Sequence, residues 1–210
     1  MDAMQKRSLP CEFRTEKQED GKMHAEGVAI LYEETTVLYE DANYRYEEVI
    51  AQGAASESLV EDDVRAVWNH NYDIVLGRQS AKTLSLEEKE DGVHVDIDFP
   101  DSQEGRDKFT SVERGDVSQM SFGFDILKET VTEDNSGEKR IVRSRVEKVK
   151  LYEVSPVTFP AYENTKLNAR DRVNTLREKA AALTSTEDHE SDVRSREIEI
   201  MKLRSESWKN

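Results

Sequence analysis

The chain has 210 residues, 36% hydrophobic and 36% charged, and its 45 acidic against 30 basic side chains give a net charge of −15. That length fits one ordinary domain with some tail left over. No apolar run reaches the roughly 18 residues that mark a membrane-spanning helix. The acidic balance argues against a general nucleic-acid binder, which neutralises phosphates with a basic face.

Taken in chain order, Lys6 and Arg7 are not followed by an apolar stretch, so no signal peptide is expected. Residues 1–11 read as a flexible N-terminus. Cys11 is the only cysteine, which excludes a disulfide framework within one chain and fits a cytosolic compartment. From Glu12 to Ile30 the pattern favours strands, with a turn at Asp20-Gly21. Arg45 to Ile50 is again extended. Ser58-Leu59-Val60-Glu61 resembles a capping box, and Val60, Val64, Val67 and Trp68 follow at helical spacing. These predict a short helix that ends just before His70. Asp91-Gly92 is a turn, after which Val93, Val95, Ile97 and Phe99 alternate with His94, Asp96 and Asp98 as a half-buried strand does. Ser102 to Val112 reads as a helix. Met120 to Leu127 reads as a strand, Asn135-Ser136-Gly137 as a hairpin loop, and Ile141 to Phe159 as the return, with Pro156 and Pro160 limiting a regular ladder. Residues 12–168 thus read as one compact, mostly β domain. Residues 169–210 read as a helical or disordered tail, in which Val173, Leu176, Ala180 and Leu183 form a helical stripe.

Ser121 is the most informative single residue. It lies in the strand-like run Gln119-Met120-Ser121-Phe122-Gly123-Phe124. A serine hydroxyl is unreactive at neutral pH without an adjacent base, and an imidazole suits that task. A third group must hold the imidazole's tautomer. His70, in the polar setting Trp68-Asn69-His70-Asn71, and Glu153, in a second apolar run, supply those types. Spacing does not show that the three meet, and a serine in such a strand is more often an ordinary buried hydroxyl. No G-x-S-x-G elbow is present, which argues against an α/β-hydrolase. Gly123 either opens the backbone beside Ser121 or relieves crowding between Phe122 and Phe124. His94 and Asp96 share a strand face as a two-ligand seed for a metal, although solvated polar groups explain them equally well. No Walker, Rossmann or EF-hand pattern occurs, and no cofactor is expected.

Four blocks in this order resemble the prohead proteases of tailed bacteriophages. They are Ile50-Ala51-Gln52-Gly53-Ala54-Ala55 with Ser58-Leu59, Val64 to His70 with Leu76-Gly77, Val117 to Phe124, and Leu151 to Tyr162. The resemblance spans about 12–168 and leaves out the tail. It implies a mostly β fold with flanking helices, a barrel like that of herpesvirus assembly proteases. It implies a serine endopeptidase that cuts the scaffolding region of the major capsid protein, and itself, inside the immature procapsid in the host cytoplasm. Its partners would be the capsid protein and its scaffolding segment, with dimers as a form that related enzymes adopt, and neither nucleic acid nor membrane. Ser121 and His70 carry over as nucleophile and base, and Glu153 is the choice for third member. Arg143 or Arg145 is a looser choice for the oxyanion site. The tail is a candidate for removal by self-cleavage. The alternative is a scaffold- or capsid-binding assembly protein that is inactive or cuts only in cis.

Overall fold

The computed structural model describes residues 4–17, 21–159 and 172–182. Within them lie strands β1 (Gln5–Pro10), β2 (Arg14–Lys17), β3 (Met23–Leu31), β4 (Thr35–Glu40), β5 (Tyr44–Ile50), β6 (Arg65–Trp68), β7 (Asn71–Arg78), β8 (Leu84–Glu88), β9 (Gly92–Phe99), β10 (Gln119–Asp134) and β11 (Arg140–Val157). The helices are α1 (Ser56–Glu61), α2 (Gln103–Glu113) and α3 (172–182).

The chain is mostly β, in two sheets. The larger runs β1-β10-β11-β5-β4, with β6 also on β11 and β7 on β6; the smaller runs β2-β3-β9-β8. Among the described residues no ring of strands closes, so the expected closed barrel is not found. β1, β4 and β7 remain edges of the larger sheet, and β2 and β8 of the smaller.

The hairpin of β10 and β11 is the axis of the molecule. Its register runs from Gln119↔Val157 to Asp134↔Ile141. On its other edge β11 pairs in parallel first with β5, at residues 140–146, and then with β6, at Glu153 and Val154. The gap between those partners is bridged by the segment around α1. Ala54 accepts from Val149 N at 2.9 Å, and Ser58 Oγ accepts from Leu151 N at 2.7 Å. A strand N–H buried without a partner would cost stability, so Ser58 completes the ladder here.

That role replaces the expected helix cap. The residue at the N-cap of α1 is Ala55, without a side-chain cap, and Ser58 lies inside the helix. The helix also stops early. Asp62 is already extended, and Arg65–Trp68 is a strand rather than the last helical turn. Val64 and Val67 pack with no exposure while Val60 is left open to solvent, the opposite of one continuous helical stripe. β-branched residues lose little on a pleated surface, which favours the strand.

Other expectations hold. Val93, Val95, Ile97 and Phe99 are buried along β9. Ser102 caps α2 by accepting from Gly105 N at 3.0 Å. The rings of Phe99 and Phe109 meet edge-on at 5.5 Å, joining α2 to the smaller sheet. Val173, Leu176 and Ala180 of α3 are buried against Tyr46 and Val142 of the larger sheet. Leu183 lies outside the described residues. The start of the chain, expected to be loose, contains β1, which pairs antiparallel with β10 from Gln5↔Phe124 to Pro10↔Gln119.

Candidate active site

β6 and β7 are joined through Asn69 and His70, the two residues between Trp68 and its partner Asn71. Both are left-handed, with φ of 52° and 59°. Two such residues in succession make the hairpin turn that matches strand twist. Asparagine tolerates that region well, but a histidine there stores strain that its surroundings must hold. They do so from β11. Asn69 N donates to Pro156 O at 3.1 Å, and Thr158 N donates to Asn69 Oδ1 at 2.9 Å. His70 N donates to Ser155 Oγ at 3.3 Å.

His70 Nδ1 lies 2.6 Å from Glu153 Oε1. Glu153 has no solvent exposure. Its second oxygen accepts from Ser155 Oγ at 2.5 Å. A carboxylate oxygen only accepts, so the proton of a neutral His70 resides on Nδ1 and Nε2 keeps its lone pair. That Nε2 is buried and has no hydrogen-bond partner among the described residues. An imidazole nitrogen with a free lone pair, its ring held through the other nitrogen, is able to accept a proton.

The hairpin register supplies the rest. Ser121 stands opposite Ser155, and Gly123 opposite Glu153. Paired residues in an antiparallel ladder, and residues two apart along a strand, share a face. Ser121, Gly123, Glu153 and Ser155 therefore belong to one side of the sheet. Gly123 explains how the carboxylate fits. A Cβ at that position would stand 2.5 Å from Glu153 Oε1 and 3.2 Å from its Cγ and Cδ. The glycine makes room for the glutamate, a role different from both sequence expectations. Phe122 and Phe124 stack on each other at 4.9 Å.

Of the three residues singled out in the sequence, His70 and Glu153 thus touch. Ser121 shares their face, but its hydroxyl is turned elsewhere. It is fully buried and donates to Arg7 O of β1 at 2.8 Å. β1 covers the strand that carries the serine, so a peptide carbonyl already sits against the hydroxyl. Ser155 is the member that sequence reasoning missed. Its signal was its position two residues after Glu153, on the same strand face. Tyr72, the second residue of β7, lies at the rim and donates to Met4 Sδ at 3.4 Å. Burial and the nearby Glu153 charge push its phenol above the ordinary tyrosine range.

Arg143 and Arg145 are engaged elsewhere. Arg143 binds Glu47, at 2.7 Å from Nη2, and Arg145 binds Glu33, at 2.6 Å from Nη1. The His94–Asp96 seed does not assemble either. His94 pairs with Asp91 at 2.9 Å and Asp96 faces His24 at 3.4 Å, and no metal-holding cluster occurs among the described residues.

The profile of the caudovirus prohead serine proteases matches residues 11–179. No curated protein sequence matches the chain. Among solved structures, the chain is similar to the capsid assembly protease gp21 of bacteriophage T4. The two are 13% identical over 73% of this chain and 96% of that one, with a TM-score of 0.47.

Proposed function

From a chain that belongs to the caudovirus prohead serine proteases, we propose a serine endopeptidase in which Ser121 is the nucleophile, His70 the base and Glu153 the residue that orients it. The observation that carries this reading is the 2.6 Å contact from His70 Nδ1 to the buried Glu153, which leaves Nε2 without a partner. The substrates are the scaffolding region of the major capsid protein and the chain itself, inside the procapsid. The catalytic unit is residues 12–168, and the fold is an open relative of the herpesvirus assembly proteases. The acidic surface suits work beside capsid protein rather than on nucleic acid.

The chemistry balances with these groups alone. As Ser121 Oγ bonds to the substrate carbonyl carbon, its proton passes to His70 Nε2, and Glu153 stabilises the imidazolium. The oxyanion is met by backbone N–H groups. When the C–N bond breaks, His70 returns the proton to the departing amine. Water then repeats the sequence on the acyl-serine and frees the acid. Before this the hydroxyl must leave Arg7 O and turn to His70. Ser155 is a positioning residue, because it holds both the carboxylate and the His70 backbone.

A second reading, an assembly protein that cuts only in cis, is favoured by one fact: Ser121 is fully buried and its hydroxyl is bonded to Arg7 O of the chain's own β1. Co-expression with the cognate major capsid protein separates the two. Mass spectrometry of both proteins' termini is expected to find capsid trimming with the unaltered chain and none with Ser121→Ala. Identical products from both would sink the nucleophile assignment. Cuts confined to the chain's own ends would establish the second reading.

A further inference from the structure

β1 lies along the serine strand as an extended peptide would. Its antiparallel register runs Gln5↔Phe124, Lys6↔Gly123, Arg7↔Phe122 and Ser8↔Ser121. The carbonyl beside Ser121 Oγ belongs to Arg7. If β1 is read as a peptide in the cleft, Arg7 is therefore the residue on the acyl side of the bond, and Ser8 supplies the amine.

The Arg7 side chain enters a built site. Its Nε donates to Glu48 Oε1 at 2.6 Å and its Nη2 to Glu48 Oε2 at 3.0 Å. The guanidinium also lies 5.6 Å from the centre of the Phe124 ring. Glu48 is 2% exposed and Arg7 8%. Among the described residues Glu48 has one other basic neighbour, Arg172, whose Nε lies 3.1 Å away. That arginine is shared with Glu129, on which both its terminal nitrogens rest. With Arg7 withdrawn, Glu48 would keep only a share of one cation in a nearly dry site. A buried carboxylate in that position strongly favours any peptide that brings a cation back. Two-point contact with a planar fork, under an aromatic face, favours arginine over the point charge of lysine.

We infer that Glu48 is the specificity-determining residue of this protease: it makes the enzyme cut after basic residues, arginine above lysine, and Arg7–Ser8 is the bond in its own chain that fits. The inference rests on the protease reading and adds to it the class of residue at the cut.

The test uses the full chain, unaltered and Ser121→Ala, with synthetic peptides of residues 1–14 carrying Arg, Lys, Gln or Glu at position 7. Mass spectrometry reads kcat/KM and the cut site. The expected result is a Ser121-dependent cut between positions 7 and 8. Lysine should be about tenfold slower than arginine and glutamine at least about 100-fold slower, the loss that follows from leaving a buried charge unpaired. Glu48→Gln should bring the arginine-to-glutamine ratio close to one. Because Glu48 also holds Arg172, that variant could fail to fold; the peptide series on the unaltered protein decides the matter without it. Arg7→Lys and Arg7→Gln in the chain read the same preference on its own bond, which covers an enzyme that cuts only itself. Ser121-dependent cleavage with equal arginine and glutamine rates overturns the Glu48 assignment and leaves the protease standing. No Ser121-dependent cut in peptides, chain or capsid protein overturns the protease and the inference together.

Discussion

The two ends of the β10–β11 hairpin treat buried polarity in opposite ways. Toward the loop, the carboxylates are saturated. Glu48 is held by Arg7 and Arg172, and Glu129 by Arg172, Lys179 and Ser144. At the other end, Glu153 is just as buried, but its partners among the described side chains are His70 and Ser155, and His70 Nε2 has none. The saturated end ties β1, α3 and the sheet together. The incomplete end holds a carboxylate that gains a positive partner only when His70 takes up a proton. A charge satisfied in the resting protein holds the chain, or a peptide lying in its place, and a charge satisfied only during a reaction serves the bond change itself.

The comparison breaks most visibly at Ser121. Ser121→Ala is expected to lower peptide cleavage by at least about 10⁴-fold while leaving the far-UV circular dichroism unchanged. Retained activity would reduce this end to a second structural cluster. Gly123→Ala comes next. The added methyl would push the Glu153 carboxylate off His70, so kcat should fall about 100- to 1,000-fold as base and orienter lose register. Steady-state kinetics with a parallel melting curve checks that activity falls further than stability does.

At the saturated end the expected losses are of stability. Arg172→Met strips cations from Glu48 and Glu129 together and should destabilise the fold by about 3 kcal/mol in urea unfolding. An unchanged midpoint would show that Lys179 and Arg7 suffice. The smallest effect is the acid limb of the stability curve. Burial alone would raise the Glu129 carboxyl, but Arg172, Lys179 and Ser144 hold it down from 4.5 to about 2. A carboxyl lowered on folding adds stability above its unfolded value and loses it as the pH falls through the folded one. Glu129 should therefore contribute on the order of 2 kcal/mol above pH 4.5, fading toward pH 2, and Glu129→Gln should flatten that limb in thermal melts.

Much of this arrangement was legible in the residues. The alternation through Val93, Val95, Ile97 and Phe99 gave β9, because a half-buried strand writes its period directly into the sequence. The helix expected from Ser102 to Val112 is α2, and the stripe through Val173, Leu176 and Ala180 marked the docked face of α3. Ser58 misled, because a hydroxyl three residues before a glutamate serves a helix cap and a strand gap equally well, and only the distant Leu151 N–H decides between them. His70 and Glu153 were legible as types, but their contact arises from parallel pairing of β6 with β11, which leaves no local trace. The closure of Ser121 by β1 was hidden for the same reason. Nothing in Gln5–Pro10 alternates, and what holds it is remote: the ladder with β10 and the contact of Arg7 with Glu48, forty-one residues away.

The most direct measurement is labelling with a fluorophosphonate, followed by mass spectrometry of the adduct. One adduct on Ser121, lost in His70→Ala and in Glu153→Ala, is expected if the three residues act together. An adduct on Ser155, or labelling of Ser121 that persists without His70, would contradict it.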